Sequence, residues 1–146
     1  MSKIFSLFIS AVSGITMAVQ GTVNAQLSQK TNIWEATFLV HFIGAFIVAA
    51  IMFMLKVGSF RFSKWLGVPW YLYSGAFLSV AIIYLVALSI PKVGVSNATT
   101  AIIVGQVTTA VIIDHFGLFG VSKIAWTYSN FLGIALFAAG AKLLMH

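Results

Sequence analysis

Five apolar runs occupy almost the whole chain: 4–27, 33–55, 70–90, 95–113 and 125–145. Wound as a helix, each is long enough to cross a hydrocarbon layer that needs roughly 20 apolar residues. The expected fold class is an all-α integral membrane protein with five transmembrane helices, in a single transmembrane domain covering residues 1–146. An odd number of crossings puts the two termini on opposite sides of the membrane. Five short helices around one pathway make a thin wall, so the chain reads as half of something and the expected unit is a pair of chains.

Composition agrees. The hydrophobic share is 61%, against roughly 45–50% in a soluble domain, and only 7% of the residues are charged. The longest stretches between the runs, 56–69 and 114–124, are too short to build a core of their own, which argues against an enzyme with a water-facing catalytic domain. A net charge of +6 invites a nucleic-acid reading, but a basic binding surface needs its Lys and Arg clustered on one face. Here they are scattered among the connections, so no nucleic-acid partner is expected, and the charges read as topology determinants in a lipid bilayer. Lys3, Lys56, Arg61, Lys64 and Lys123 fall on the N-terminal side and Lys30, Lys92 and Lys142 on the other. The positive-inside rule then makes the N-terminus cytoplasmic, although five against three also leaves a mixed orientation open. With no cysteine there is no disulfide framework or thiolate metal site, and no metal or cofactor is expected. The first run has a secondary reading as a cleaved signal peptide, because Lys3 precedes it and small residues follow. Its length and the regular polar residues in its far half argue against that.

Tryptophans sit where span ends are expected: Trp34, Trp65, Trp70 and Trp126. Pro69 and Pro91 fall at run ends, where a missing backbone donor does little harm, and Gly94 and Gly120 fit tight connections. No internal repeat is evident. Many transporters join two inverted repeats in one chain, so a second repeat would have to come from another chain.

Polar side chains facing lipid are costly, and their spacing marks the inward face. In the first run Ser6, Ser10, Ser13, Met17, Gln20 and Asn24 follow steps of four and three, which draws one stripe down a helix. The serines alone fit helix-to-helix hydrogen bonding. Two carboxamides one turn apart, Gln20 and Asn24, point to a polar cavity. In the fourth run Gln106 lies near the middle with Thr99 and Thr109 close to its face, and Gly105 beside it would admit another backbone or a ligand. The threonines weigh little singly, since each can return its hydroxyl to its own helix. His41 is the titratable side chain deepest in a run and suits either proton coupling or a neutral hydrogen bond between helices. The two acids, Glu35 and Asp114, lie near run ends. Asp114 fits a gate or cation attraction, or equally a helix end paired with Lys123 or His115. Tyr84 could stack on a cation or donate a hydrogen bond, or simply pack in the bundle. In the last run Gly133, Phe137 and Gly140 set small residues at spacings that allow close packing, and a subunit contact is expected there.

These blocks in this order resemble the YdcZ-type family of small bacterial inner-membrane proteins, in the drug/metabolite transporter superfamily. The resemblance covers essentially the whole chain. It rests on GITMAVQGTVNAQL from Gly14 to Leu27, AIIVGQ from Ala101 to Gln106, DHFGLFG from Asp114 to Gly120, and Gly133 with Gly140. It implies a half-size protein, five helices forming half of a ten-helix inverted-repeat bundle. A homodimer, or a heterodimer with a paralogous five-span chain, then follows, antiparallel in one arrangement. Carried over, the matched positions Gln20, Asn24, Gln106 and Asp114 are the candidates, and His41 stands where the family pattern suggests an apolar residue.

The leading expectation is a small-solute secondary transporter whose midplane site is lined by the first and fourth helices. Gln20, Asn24, Gln106, Tyr84 and Thr109 would bind a small organic solute or cation, and His41 and Asp114 would serve proton or ion coupling. No acid lies at mid-span, which argues against the carboxylate-driven exchange of the small multidrug exporters. Two other readings stay open: a dual-topology channel, and an accessory membrane subunit whose polar residues only pack helices.

Overall fold

A computed structural model describes residues 2–58 and 62–145, so Arg61, one of the topology charges, lies outside the described residues. The elements are helical throughout: α1 Lys3–Lys30, α2 Ile33–Leu55, a short α3 Phe62–Leu66, α4 Ser74–Val93 entered through a 3-10 turn at Trp70–Tyr73, α5 Val95–Phe116, and α6 Tyr128–Leu144. Four segments, Lys3–Lys30, Ile33–Leu55, Trp70–Val93 and Val95–Phe116, are long and apolar enough to cross a membrane, while Tyr128–Leu144 is a shorter apolar helix. Four of the five expected spans are thus present at full length, and the fifth is cut to 17 residues. The chain divides into two compact units, Met1–Leu88 and Ser89–His146.

In the first unit α1 and α2 pack as a hairpin. Its turn is written in two residues. Asn32 has extended backbone, and its Oδ1 accepts from the N–H of Trp34 at 2.9 Å and of Glu35 at 3.0 Å. It thereby satisfies two of the four donors that a helix start leaves open. The amide of Thr31 closes α1 on the Leu27 carbonyl at 3.0 Å. Small residues flank this turn: Ala25 and Ala36 are fully enclosed, with Asn24, Thr37 and Gly21 also buried. Short side chains let two backbones approach, which is how helices associate where lipid is as apolar as leucine. Farther from the turn the helices present Phe, Ile, Leu and Val outward, the pattern expected of surfaces solvated by acyl chains.

The helix α4 meets α2 through side chains. Trp34 and Tyr84 bring their rings to 4.7 Å, and His41 reaches Ser79 at 2.9 Å. Positions rise along α2 as they fall along α4, so the two run antiparallel. At the end of α4, Pro91 does not stop the helix, which continues to Val93.

In the second unit α5 and α6 pack together. The helix α5 runs three residues beyond the expected Ile113, through Asp114, His115 and Phe116, and stops at Gly117 in left-handed backbone with φ of 64°. After a 3-10 turn at Leu118–Gly120 the chain has no regular structure until α6, with extended backbone at Val121 and Thr127. This stretch doubles back: the N–H of Ile124 donates to the Asp114 carbonyl at 2.8 Å. It continues past the Trp126 indole, which donates to the Val111 carbonyl at 3.3 Å. Val111 stands five residues before the end of α5, so the return covers about 7 Å of helix. This explains the short α6. Residues 125–127 are apolar enough to begin a helix, but α5 draws them into a strap. Irregular backbone at apolar depth is tolerated only where protein satisfies it; here the Asp114 carbonyl takes the Ile124 N–H and the His115 ring takes the Trp126 N–H.

Candidate functional site

Gln20 and Asn24 sit one turn apart on α1, as their spacing predicts, but their surroundings differ. Asn24 is 7% exposed beside the α1–α2 turn, whereas Gln20 is exposed. Several neighbouring hydroxyls are spent locally. Thr16 donates to the Val12 carbonyl, Thr22 to Ala18, Thr37 to Ile33, and Ser10 to Ser6, each back to its own helix in the manner that lets such residues sit at apolar depth. The serines of the α1 stripe therefore carry less functional weight than its carboxamides.

His41 is half-buried and engaged on both ring nitrogens. Nδ1 lies 2.8 Å from the Thr37 carbonyl and Nε2 lies 2.9 Å from Ser79 Oγ. A carbonyl only accepts, so Nδ1 carries the proton and donates. In the neutral ring Nε2 then accepts from the Ser79 hydroxyl. The histidine is thus a pin between α2 and α4. Tyr84, also half-buried, lays its ring against Trp34. The two links occupy positions 34 and 41 of α2, seven apart and hence on one face, so this face of α2 is committed to α4.

On α5, Gln106 and Thr109 are exposed, while Thr108 returns its hydroxyl to the Val104 carbonyl at 2.8 Å. Gly105 is open: a side chain built there would meet nothing within 4 Å. The same holds for Gly133 and Gly140 on α6, where Phe137 is also exposed. Gly105, Gly133 and Gly140 thus face open space among the described residues.

Asp114 is half-buried in the last turn of α5, where its backbone carbonyl anchors the strap. His115 engages Trp126 in place of a carboxylate: its Nδ1 accepts from the Trp126 backbone N–H at 3.4 Å, and the rings lie 6.0 Å apart. Trp126, read from sequence as a depth marker, is a docking residue of the strap. Among the described residues no group of three or more His, Asp or Glu could hold a metal ion.

The block Asp114–Gly120 therefore builds a specific piece of backbone: helix end, left-handed glycine, tight turn and returning strap. That block sits within a match that spans the chain from residue 5 to residue 143, to the family described as "Putative inner membrane exporter, YdcZ". The chain belongs to the YdcZ family. Together with its apolar helices, this makes it a multi-pass inner-membrane protein, and the family description points to a transporter and not an enzyme. No curated protein and no solved structure matches the chain. In YdcZ terms, the candidates divide between the units: Gln20, Asn24, His41 and Tyr84 in the first, Gln106, Thr109 and Asp114 in the second.

Proposed function

We propose that the chain is one half of a small-solute secondary transporter of the inner membrane. Two such chains complete a ten-helix inverted-repeat bundle and expose a midplane site alternately to either side. The observation that carries this reading is Gln106. It lies mid-helix and exposed, about half a turn round α5 from the Ala101 and Val104 positions that face α6, with the open Gly105 beside it. A carboxamide at that depth is costly against lipid, so it needs a partner that α6 does not supply. A second chain enclosing a wet cavity supplies one.

In this reading Gln20, Asn24, Gln106 and Thr109 bind a small organic solute or cation. Tyr84, its ring tilted against Trp34, contributes its hydroxyl at the margin. Gly133, Phe137 and Gly140 form the subunit contact, and the two chains insert in opposite orientations, one of them with its N-terminus cytoplasmic. His41 and Asp114 are the candidates for proton or ion coupling, and transport that does not vary with pH between about 5.5 and 7.5 removes His41 from that role.

The test is made in liposomes with the purified protein, using single cysteines placed near each terminus of the naturally cysteine-free chain. Cross-linked pairs together with saturable, counterflow-capable flux of a small organic solute are expected. Gln106→Leu should abolish that flux while leaving the cross-linked pair intact. Flux that never saturates would make the dimer a channel, and an uncoupled monomer without flux would refute the proposal.

A further inference from the structure

Between α5 and α6 runs an open groove of about 420 Å3, lined by Ala101, Val104, Ala138, Ala141, Lys142 and Met145. None of the proposed solute-binding residues lines it. Its floor is apolar and shaped by three alanines, and its one charged group, Lys142, sits in the last turn of α6. An open apolar groove with an ammonium among its lining residues suits a chain with an anionic head. The lysine stem can lie along the groove while its nitrogen reaches the membrane interface. Basic pockets between transmembrane helices bind acidic headgroups in this way.

We propose that the groove seats one acyl chain of an anionic phospholipid, with its headgroup phosphate on Lys142. Two observations favour lipid over a second copy of the chain. The groove positions of α6 lie about a third of a turn round from Gly133, Phe137 and Gly140, so the small-residue face stays available for a subunit while the groove is filled. A second copy would also bring little to neutralise Lys142, because the chain has only two acidic residues, Glu35 and Asp114.

The purified protein is delipidated in detergent, incubated with phosphatidylglycerol and phosphatidylethanolamine of matched chains, and weighed intact by native mass spectrometry. Both lipids offer a phosphate, but the ammonium of phosphatidylethanolamine offsets its charge, so a lysine worth about 1 kcal/mol toward net anionic lipid predicts that phosphatidylglycerol is retained about fivefold over phosphatidylethanolamine. Lys142→Gln should bring the two to parity, Lys142→Arg should keep the preference, and Ala138→Phe, which fills the groove, should lower retention of both. Equal retention of the two lipids by the unaltered chain would overturn the proposal, as would full preference in Lys142→Gln. So would an equal loss in Lys3→Gln, because the preference would then follow total charge. A drop in dimer fraction for Ala138→Phe with lipid retention unchanged would assign the groove to a second copy and also overturn the proposal.

Discussion

Gly117→Ala tests whether the strap rests on one backbone conformation. Gly117 has φ of 64°, and a Cβ there would stand 3.3 Å from the Val121 carbonyl oxygen, 3.4 Å from Lys123 Cβ and 3.6 Å from Lys123 Cα. Left-handed backbone costs a non-glycine residue roughly 1–2 kcal/mol. The neighbours cannot move freely, since the Ile124 to Asp114 bond at 2.8 Å holds them against α5, so crowding adds roughly 1–2 kcal/mol, within the range for an overpacked site. The total is about 2–4 kcal/mol. Gly120 supplies the control: its φ is 85° but a Cβ would meet nothing within 4 Å, so Gly120→Ala should cost only the conformational part, about 1–2 kcal/mol. Both variants and the parent chain are unfolded reversibly in mixed micelles and their stabilities compared. Equal losses, or a larger loss for Gly120→Ala, would show that the strap is not packed against Gly117, and the account of why α6 starts late would fall with it.

Asn32→Ala should destabilise the α1–α2 hairpin by about 1 kcal/mol, the usual cost of losing an N-cap, whereas Asn32→Asp should retain most of the stability; denaturation midpoints decide between them. For the α2–α4 pin, a double-mutant cycle of His41→Phe and Ser79→Ala should give a coupling of about 0.6 kcal/mol, typical of interhelical hydrogen bonds in membranes, and additive effects would mean that the two side chains do not pair. Trp126→Phe keeps the ring but loses the indole donor to Val111. It should speed hydrogen exchange at the Ile124 amide, read by mass spectrometry, and unchanged exchange would show that the indole bond does not hold the strap.

Much of the fold is legible in the sequence because apolar length is a strong signal, and the helices that start or stop on side-chain chemistry follow it closely. Ile33 begins α2 as expected because Asn32 precedes it. The misjudged boundaries have physical causes. Asp114 and His115 look like the start of a loop, yet α5 continues through them, because the residue that ends a helix is the left-handed glycine and not the first polar side chain. Residues 125–127 look like helix because hydropathy does not distinguish an apolar helix from an apolar strap, and what separates them is the pair of bonds from Trp126 to His115 and Val111 on α5. Pro91 reads as a stop but occupies the last turn of α4, where only two residues of helix follow it. At the candidate site, the spacing of Gln20 and Asn24 on one face was legible. That Tyr84 rests on Trp34 and His41 on Ser79 was not, because those pairings depend on how α2 and α4 meet.

The strap also sets a thickness. At 1.5 Å per residue, α6 with its 17 residues spans about 26 Å, while α2 with 23 spans about 35 Å and α1 with 28 about 42 Å. A hydrocarbon layer of about 30 Å suits none of them when upright: α1 and α2 must tilt, and lipid beside α6 must thin or leave its ends to snorkelling side chains. Membranes of longer acyl chains should therefore strain this protein first at α6, and lipid length should tune it through the helix that the strap has shortened.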